Sequence, residues 1–167
     1  MNADLRDLYS WVQAARERVF AWAESLPAEI YTQERPDFAY GSLRNVQAHI
    51  ADCYFAWIGV RGLGLPLGSE RLDTSAAIDV AAMRRVYNEV DGVLEQAFTQ
   101  FTQPDGFLDV QFHDEALRVT QRWLVMHPIT HEFHHKGQML TMGRILGWPY
   151  PPGPDTDLGL PTESGIG

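Results

Sequence analysis

Three observations predict an all-α protein, a four-helix bundle with a short β-hairpin before its last helix. Four long segments repeat apolar residues at three- and four-residue spacing. Strand-like alternation is confined to one short stretch. At 167 residues the chain is read as one domain, residues 1–167, long enough to bury a core without disulfides.

The first segment, from about Asp4 to Ser25, sets Leu5, Leu8, Val12, Ala15 and Val19 on one face, and Pro27 stops it. The second runs from about Ser42, a side chain suited to capping, to Gly62 and Gly64. The third, from about Thr74 to Phe101, carries Ile78, Met83, Val86, Val90, Leu94 and Phe98 along a stripe. The alternation DVQFHDEALRVT around Asp114 and Glu115 predicts the hairpin. The fourth helix extends from about Thr120 to Leu146, and Gly147 with Pro149 beyond it end the pattern. From about 147 the chain is too rich in Pro and Gly for helix and is expected to lie as an extended cover.

Composition narrows the partners. The net charge is −9 and no cluster of Lys and Arg offsets it, so phosphate backbones are repelled and nucleic acid is not expected. No apolar run is long enough to span a bilayer, and the charged N-terminal segment lacks the apolar stretch of a signal peptide. The single cysteine, Cys53, fits a reducing cytoplasm, so a soluble cytoplasmic protein is expected.

Histidines carry the chemical signal. The stretch HEFHHKGQM, from His131 to Met139, holds three of the six. On a helical projection His127, His131 and His135 follow one another around the axis in small steps, and Leu124 and Met142 fall between the last two. His134 falls on the far side of His127, beside Thr130, Gly137 and Thr141. His131 and His135 are therefore stacked one turn apart, where two imidazoles can reach one ion. His49 shares its predicted face with Val46, Cys53 and Trp57 and should point into the core, where the last helix offers two histidines that need a third partner. The plainer alternatives are that HxxxH arose by chance in a histidine-rich segment and that His49 is a hydrogen-bonded core residue. Cys53 is one turn from His49, but a lone cysteine there is read first as a small buried apolar residue. Three neutral imidazoles would leave a divalent ion its charge and an open position, and zinc, nickel or iron all accept them.

The letters HEFHH also satisfy H-E-x-x-H, the helical zinc-protease pattern in which the Glu is general base. Glu132 projects toward the same apolar side as the histidine pair, so orientation does not exclude it. The extended protease motif nevertheless fails: Gln138 stands where it needs glycine, and no histidine follows His135.

YGSLRNVQAHIADCYFAWIGVRG, LVMHPITHEFHHKGQMLTMGRILG and PPGPDTDL occur in that order and cover most of the chain. Together they resemble the DinB-like (DinB/YfiT-like) proteins, four-helix bundles of metal-dependent enzymes. The resemblance places the family's three metal ligands on His49, His131 and His135. His127 falls where that family often has a histidine that is not a ligand. It implies a homodimer packed through helices, for which Met126, Ile129, Phe133 and Leu140 supply a second apolar patch; the alternative is that the chain covers this patch itself. It also implies a low-molecular-weight thiol as co-substrate, since some members transfer such thiols to electrophiles. Arg144 and Tyr54 are then candidates to position substrate, although they read first as a surface and a packing residue, and Asp52, Glu132 and Gln138 are candidates to orient the imidazoles. A metal-dependent hydrolase and a non-enzymatic metal-binding stress or interaction protein are the alternatives.

Overall fold

A computed structural model describes residues 2–66, 77–151, 161–162 and 165–166. The first helix, α1 (Asn2–Glu24), buries Leu5, Val12, Ala15 and Val19, the stripe read from spacing. Pro27 separates it from a five-residue helix, α2 (Ala28–Thr32), which has no counterpart among the four predicted segments. One turn is too short to show a period, yet α2 buries Tyr31, whose hydroxyl donates to Gln47 Oε1 at 2.6 Å.

Ser42 caps α3 (Leu43–Tyr54) as expected, its hydroxyl accepting from the Asn45 amide at 3.2 Å. The predicted second helix does reach Gly62, but from Phe55 to Gly62 it is wound as a π-helix. Widening of this kind shifts the side chains that follow around the axis.

The third long helix, α4 (Val80–Gln100), starts later than predicted. Thr74 lies outside the described residues, but Ala77 to Asp79 are not helical. Asp79 is extended, and its carboxylate accepts from the Ala82 amide at 2.6 Å, which satisfies one of the unpaired amides of a helix start. Ile78 consequently leaves the apolar stripe and is 65% exposed, whereas Met83, Val90, Leu94 and Phe98 are buried as predicted.

The hairpin is present. Strand β1 (Phe107–Phe112) pairs antiparallel with β2 (Glu115–Thr120), Val110 opposite Leu117, and His113 takes a positive φ of 52° in the turn. Thr120 then caps α5 (Gln121–Ile145) by accepting from the Trp123 amide. At its end Gly147, with φ 86°, lets the Trp148 amide turn back to the Gly143 carbonyl at 2.8 Å.

The long helices close into a bundle: α3 packs on α4 and α5, and α1 packs on α4 and α5. Ile129 and Leu140 are buried in this core, and Met126 and Phe133 pack partly buried against it. The patch read as a dimer contact is therefore largely covered by the chain itself. Residues 152–160, most of the expected tail, lie outside the described residues; before them, the Tyr150 ring packs on Trp22 of α1. Two short strands, β3 (Pro161–Thr162) and β4 (Gly165–Ile166), pair with each other. Among the described residues no helix is long and apolar enough to cross a membrane.

Candidate metal centre

The α3–α5 contact brings His49 to the histidine pair of α5. His49 Nε2 lies 3.0 Å from His131 Nε2, which lies 3.1 Å from His135 Nε2. One ligand atom from each of the three falls within 4.8 Å of the others, and among the described residues no carboxylate or thiol joins the group. Neighbouring donors of a tetrahedral site with bonds of about 2.1 Å lie roughly 3.4 Å apart, close to what is seen here.

Protonation is set from behind the rings. Gln138, one turn beyond His134, lies with its Oε1 2.7 Å from His135 Nδ1. An amide oxygen only accepts, so Nδ1 carries the hydrogen and the neutral ring offers its Nε2 lone pair to the cluster. Burial, followed by the neighbouring imidazoles His135 and His49, pushes the His131 pKa down to about 3. Burial also lowers that of His135, which the Gln138 contact partly opposes. His131 is thus neutral at physiological pH, the form that ligates. His131 Nδ1 is buried without a hydrogen-bond partner, so the polar contacts of this ring are all on its Nε2 side. Three nitrogen lone pairs facing one another at this spacing repel unless a proton or a cation lies among them, and the donor set fits a borderline-soft divalent ion.

Around the cluster, His127 and Trp57 are placed by their helix faces, whereas Tyr40, Phe112, Trp123 and Arg61 are not legible in the sequence. Tyr40, in the loop before α3, stacks on His49 with centroids 4.0 Å apart and meets the His135 ring edge-on. Its hydroxyl is 2.9 Å from His49 Nε2. On the other flank His127 is stacked on Trp123 and packed against Trp57, its centroid 6.4 Å from that of His131. Phe112 from the hairpin stacks on Trp57, and the Arg61 guanidinium lies over both rings. Beyond Gln138 a groove of about 500 Å³ runs between the 37–39 loop and α5, lined by Phe38, His134, Gln138, Thr141 and Met142.

Glu132 belongs elsewhere. Its angular projection lies on the histidine side, but in the bundle it faces α1. Arg16 holds it in a two-pronged pair, both contacts 2.8 Å, and Tyr54 donates to its Oε2 at 2.6 Å. Arg16 also reaches Asp91 at 2.8 Å. Glu132 and Arg16 are each 6% exposed. The carboxylate is thus committed to a buried ion pair, which removes it as a general base and with it the protease reading. Tyr54 is fully buried in the same network and cannot position a substrate; Arg144 is exposed in the last turn of α5. Cys53 is buried, and burial pushes its thiol pKa up to about 12, as fits the apolar role.

The cluster is open on one side: His49 and His131 are only partly buried and Tyr40 is exposed. An ion bound there would keep a face for a small molecule, as a metalloenzyme requires. No curated protein matches the chain. The model of the DinB family matches residues 1–158, nearly the whole length, and the chain belongs to the DinB family.

Proposed function

We propose that the protein is a metal-dependent enzyme that transfers a low-molecular-weight thiol to an electrophilic small molecule, with His49, His131 and His135 as the ligands of one divalent ion, zinc, nickel or iron. The observation that carries this reading is the convergence of three Nε2 atoms, 3.0 and 3.1 Å apart along the chain of contacts, at a partly open edge of the α3–α5 interface. A divalent ion with only neutral ligands retains its full charge and holds a thiol as the thiolate at neutral pH.

The residues of the chain supply the rest. Gln138 fixes the His135 tautomer and orients its ring, a role that outer partners of ligating histidines commonly fill. The groove beyond Gln138 is of a size that takes a small organic molecule and would seat the body of the thiol. Trp57, Phe112 and Trp123, on the opposite flank, offer an apolar bed for the electrophile and limit the water that competes with it. A reducing cytoplasm, where such thiols stay reduced, is the compartment this chemistry needs. The partial exposure of His49 favours an enzyme over a purely structural ion, which proteins normally enclose with four ligands.

Elemental analysis of protein purified without a histidine tag should find about one divalent ion per chain, and His135→Ala should lose it while keeping the helical circular dichroism. Turnover should then be seen with a panel of thiols against chlorinated and epoxide electrophiles. Metal without turnover with any thiol would refute the transferase reading, and ester or amide hydrolysis by the same protein would replace it with a hydrolase.

A further inference from the structure

Tyr40 holds an unusual backbone conformation at the edge of the histidine cluster. Its φ is 60° and that of Gly41 is 81°, so two successive residues lie in the left-handed region that side-chain-bearing residues seldom adopt. The loop is braced to hold this shape. The Arg35 amide donates to the Gly41 carbonyl at 2.8 Å and the Gly41 amide to the Phe38 carbonyl at 3.1 Å. Asn45, in the first turn of α3, donates its side-chain amide to the Tyr40 carbonyl at 2.8 Å. Arg35 pairs with Asp37 and lies over the Phe38 ring. Strain that surroundings enforce this fully tends to mark a functional position.

The result of the bracing is to lay the phenol ring over His49 and to put its hydroxyl 2.9 Å from His49 Nε2. That nitrogen has a single lone pair, and it cannot serve both a cation and the phenol hydrogen. Once His49 gives the lone pair to an ion, the O–H of Tyr40 must find another acceptor close to the same atom. The side chain remains 44% exposed, so the position beside it is open to small molecules.

Resting on the assignment of the three histidines as ligands, the geometry points to Tyr40 as a positioning residue that donates a hydrogen bond to the exchangeable ligand of the ion, whether water, a thiol or an added anion. His49 and Tyr40 then act as a pair, the imidazole holding the ion and the phenol selecting for acceptors in the position next to it.

The test uses the full chain loaded with Co(II), whose visible absorption reports its ligands, and azide as the probe of the exchangeable position. Tyr40→Phe keeps the stacked ring and removes only the hydroxyl. It should retain Co(II) affinity within a few-fold of the parent protein and bind azide about ten-fold or more weakly, the loss expected for a hydrogen bond to a charged acceptor. Azide affinity unchanged within about two-fold overturns the role of Tyr40 while leaving the metal centre standing. Loss of Co(II) as severe as in His49→Ala also overturns it, because the phenol would then be a ligand itself. Failure of the parent protein to take up Co(II), or of its Co(II) to respond to azide, overturns the open metal centre and this inference together.

Discussion

Replacing Arg16 by methionine separates the two roles open to Glu132. The substitution removes the guanidinium from a site that is 6% exposed and leaves the Glu132 carboxylate, equally buried, with the Tyr54 hydroxyl as its remaining partner in the pair network. Asp91 loses its 2.8 Å contact as well, although its side chain is 31% exposed and water can compensate there. Removing one partner of a buried ion pair costs about 3–5 kcal/mol, because the other charge stays desolvated and unpaired. In a chain of this size each kcal/mol lowers Tm by roughly 2–4 °C, so Arg16→Met should melt about 6–20 °C below the parent protein. The imidazole cluster does not touch Arg16, so metal content measured well below the melting range should be unchanged. The double variant Arg16→Met/Glu132→Leu should recover most of the loss, since apolar replacement of a whole buried pair is close to neutral or better. Thermal melts followed by circular dichroism, with elemental analysis on the same samples, read both quantities. If Arg16→Met melts within about 2 °C of the parent, the pair carries no stability and the account of Glu132 as a structural anion fails. Metal lost at an unchanged Tm would likewise tie Glu132 to the ion instead of to α1.

Gln138→Ala removes the acceptor that holds His135 Nδ1 and should weaken metal affinity about 10- to 100-fold in competition with a chelator; unchanged affinity would mean the ring is oriented by packing alone. Cys53, buried and with its thiol pushed up to about 12, should react with iodoacetamide at neutral pH at least roughly ten-fold more slowly than in urea-unfolded protein. The same group makes stability fall as pH rises from about 9 toward 12, because in that window the unfolded chain has already released the proton that the folded chain retains. The buried phenols of Tyr9, Tyr31, Tyr54 and Tyr87, also raised by burial, add to the fall above about pH 10, so Cys53→Ala should keep an alkaline slope but a shallower one than the parent, and equal slopes would show that the thiol contributes nothing. Gly143→Ala should be destabilised by about 1–3 kcal/mol in urea titration, since a Cβ there would run into the Trp22 ring and the Trp148 carbonyl; an unchanged midpoint would show that both can yield.

Features that depend on period and local chemistry were legible from the residues alone. The four helix faces, apart from Ile78, with the Ser42 and Thr120 ends, the hairpin and the stop at Gly147, all follow from residues within one or two turns of each other, and the structure keeps them. The meeting of His49 with His131 and His135 was also within reach, because a histidine on a face otherwise apolar must go where that face goes. The start of α4 differs from its prediction because a weak continuation of the apolar stripe competes with a better cap, Asp79. Which charges and rings those faces meet is set by the packed bundle. Arg16 and Glu132 are 116 residues apart, and an angular projection of α5 cannot tell the edge of an interface from its centre. Tyr40 lies in a loop without period, so its place beside His49 is set by braces to Arg35, Phe38 and Asn45. Trp57 reaches His127 and Trp123, and Phe112 reaches Trp57, only because the π-helical turns and the hairpin fold onto the same end of α5. Periodicity fixes the direction of a side chain relative to its own helix axis; its partners depend on how the axes are packed, which is a property of the whole core.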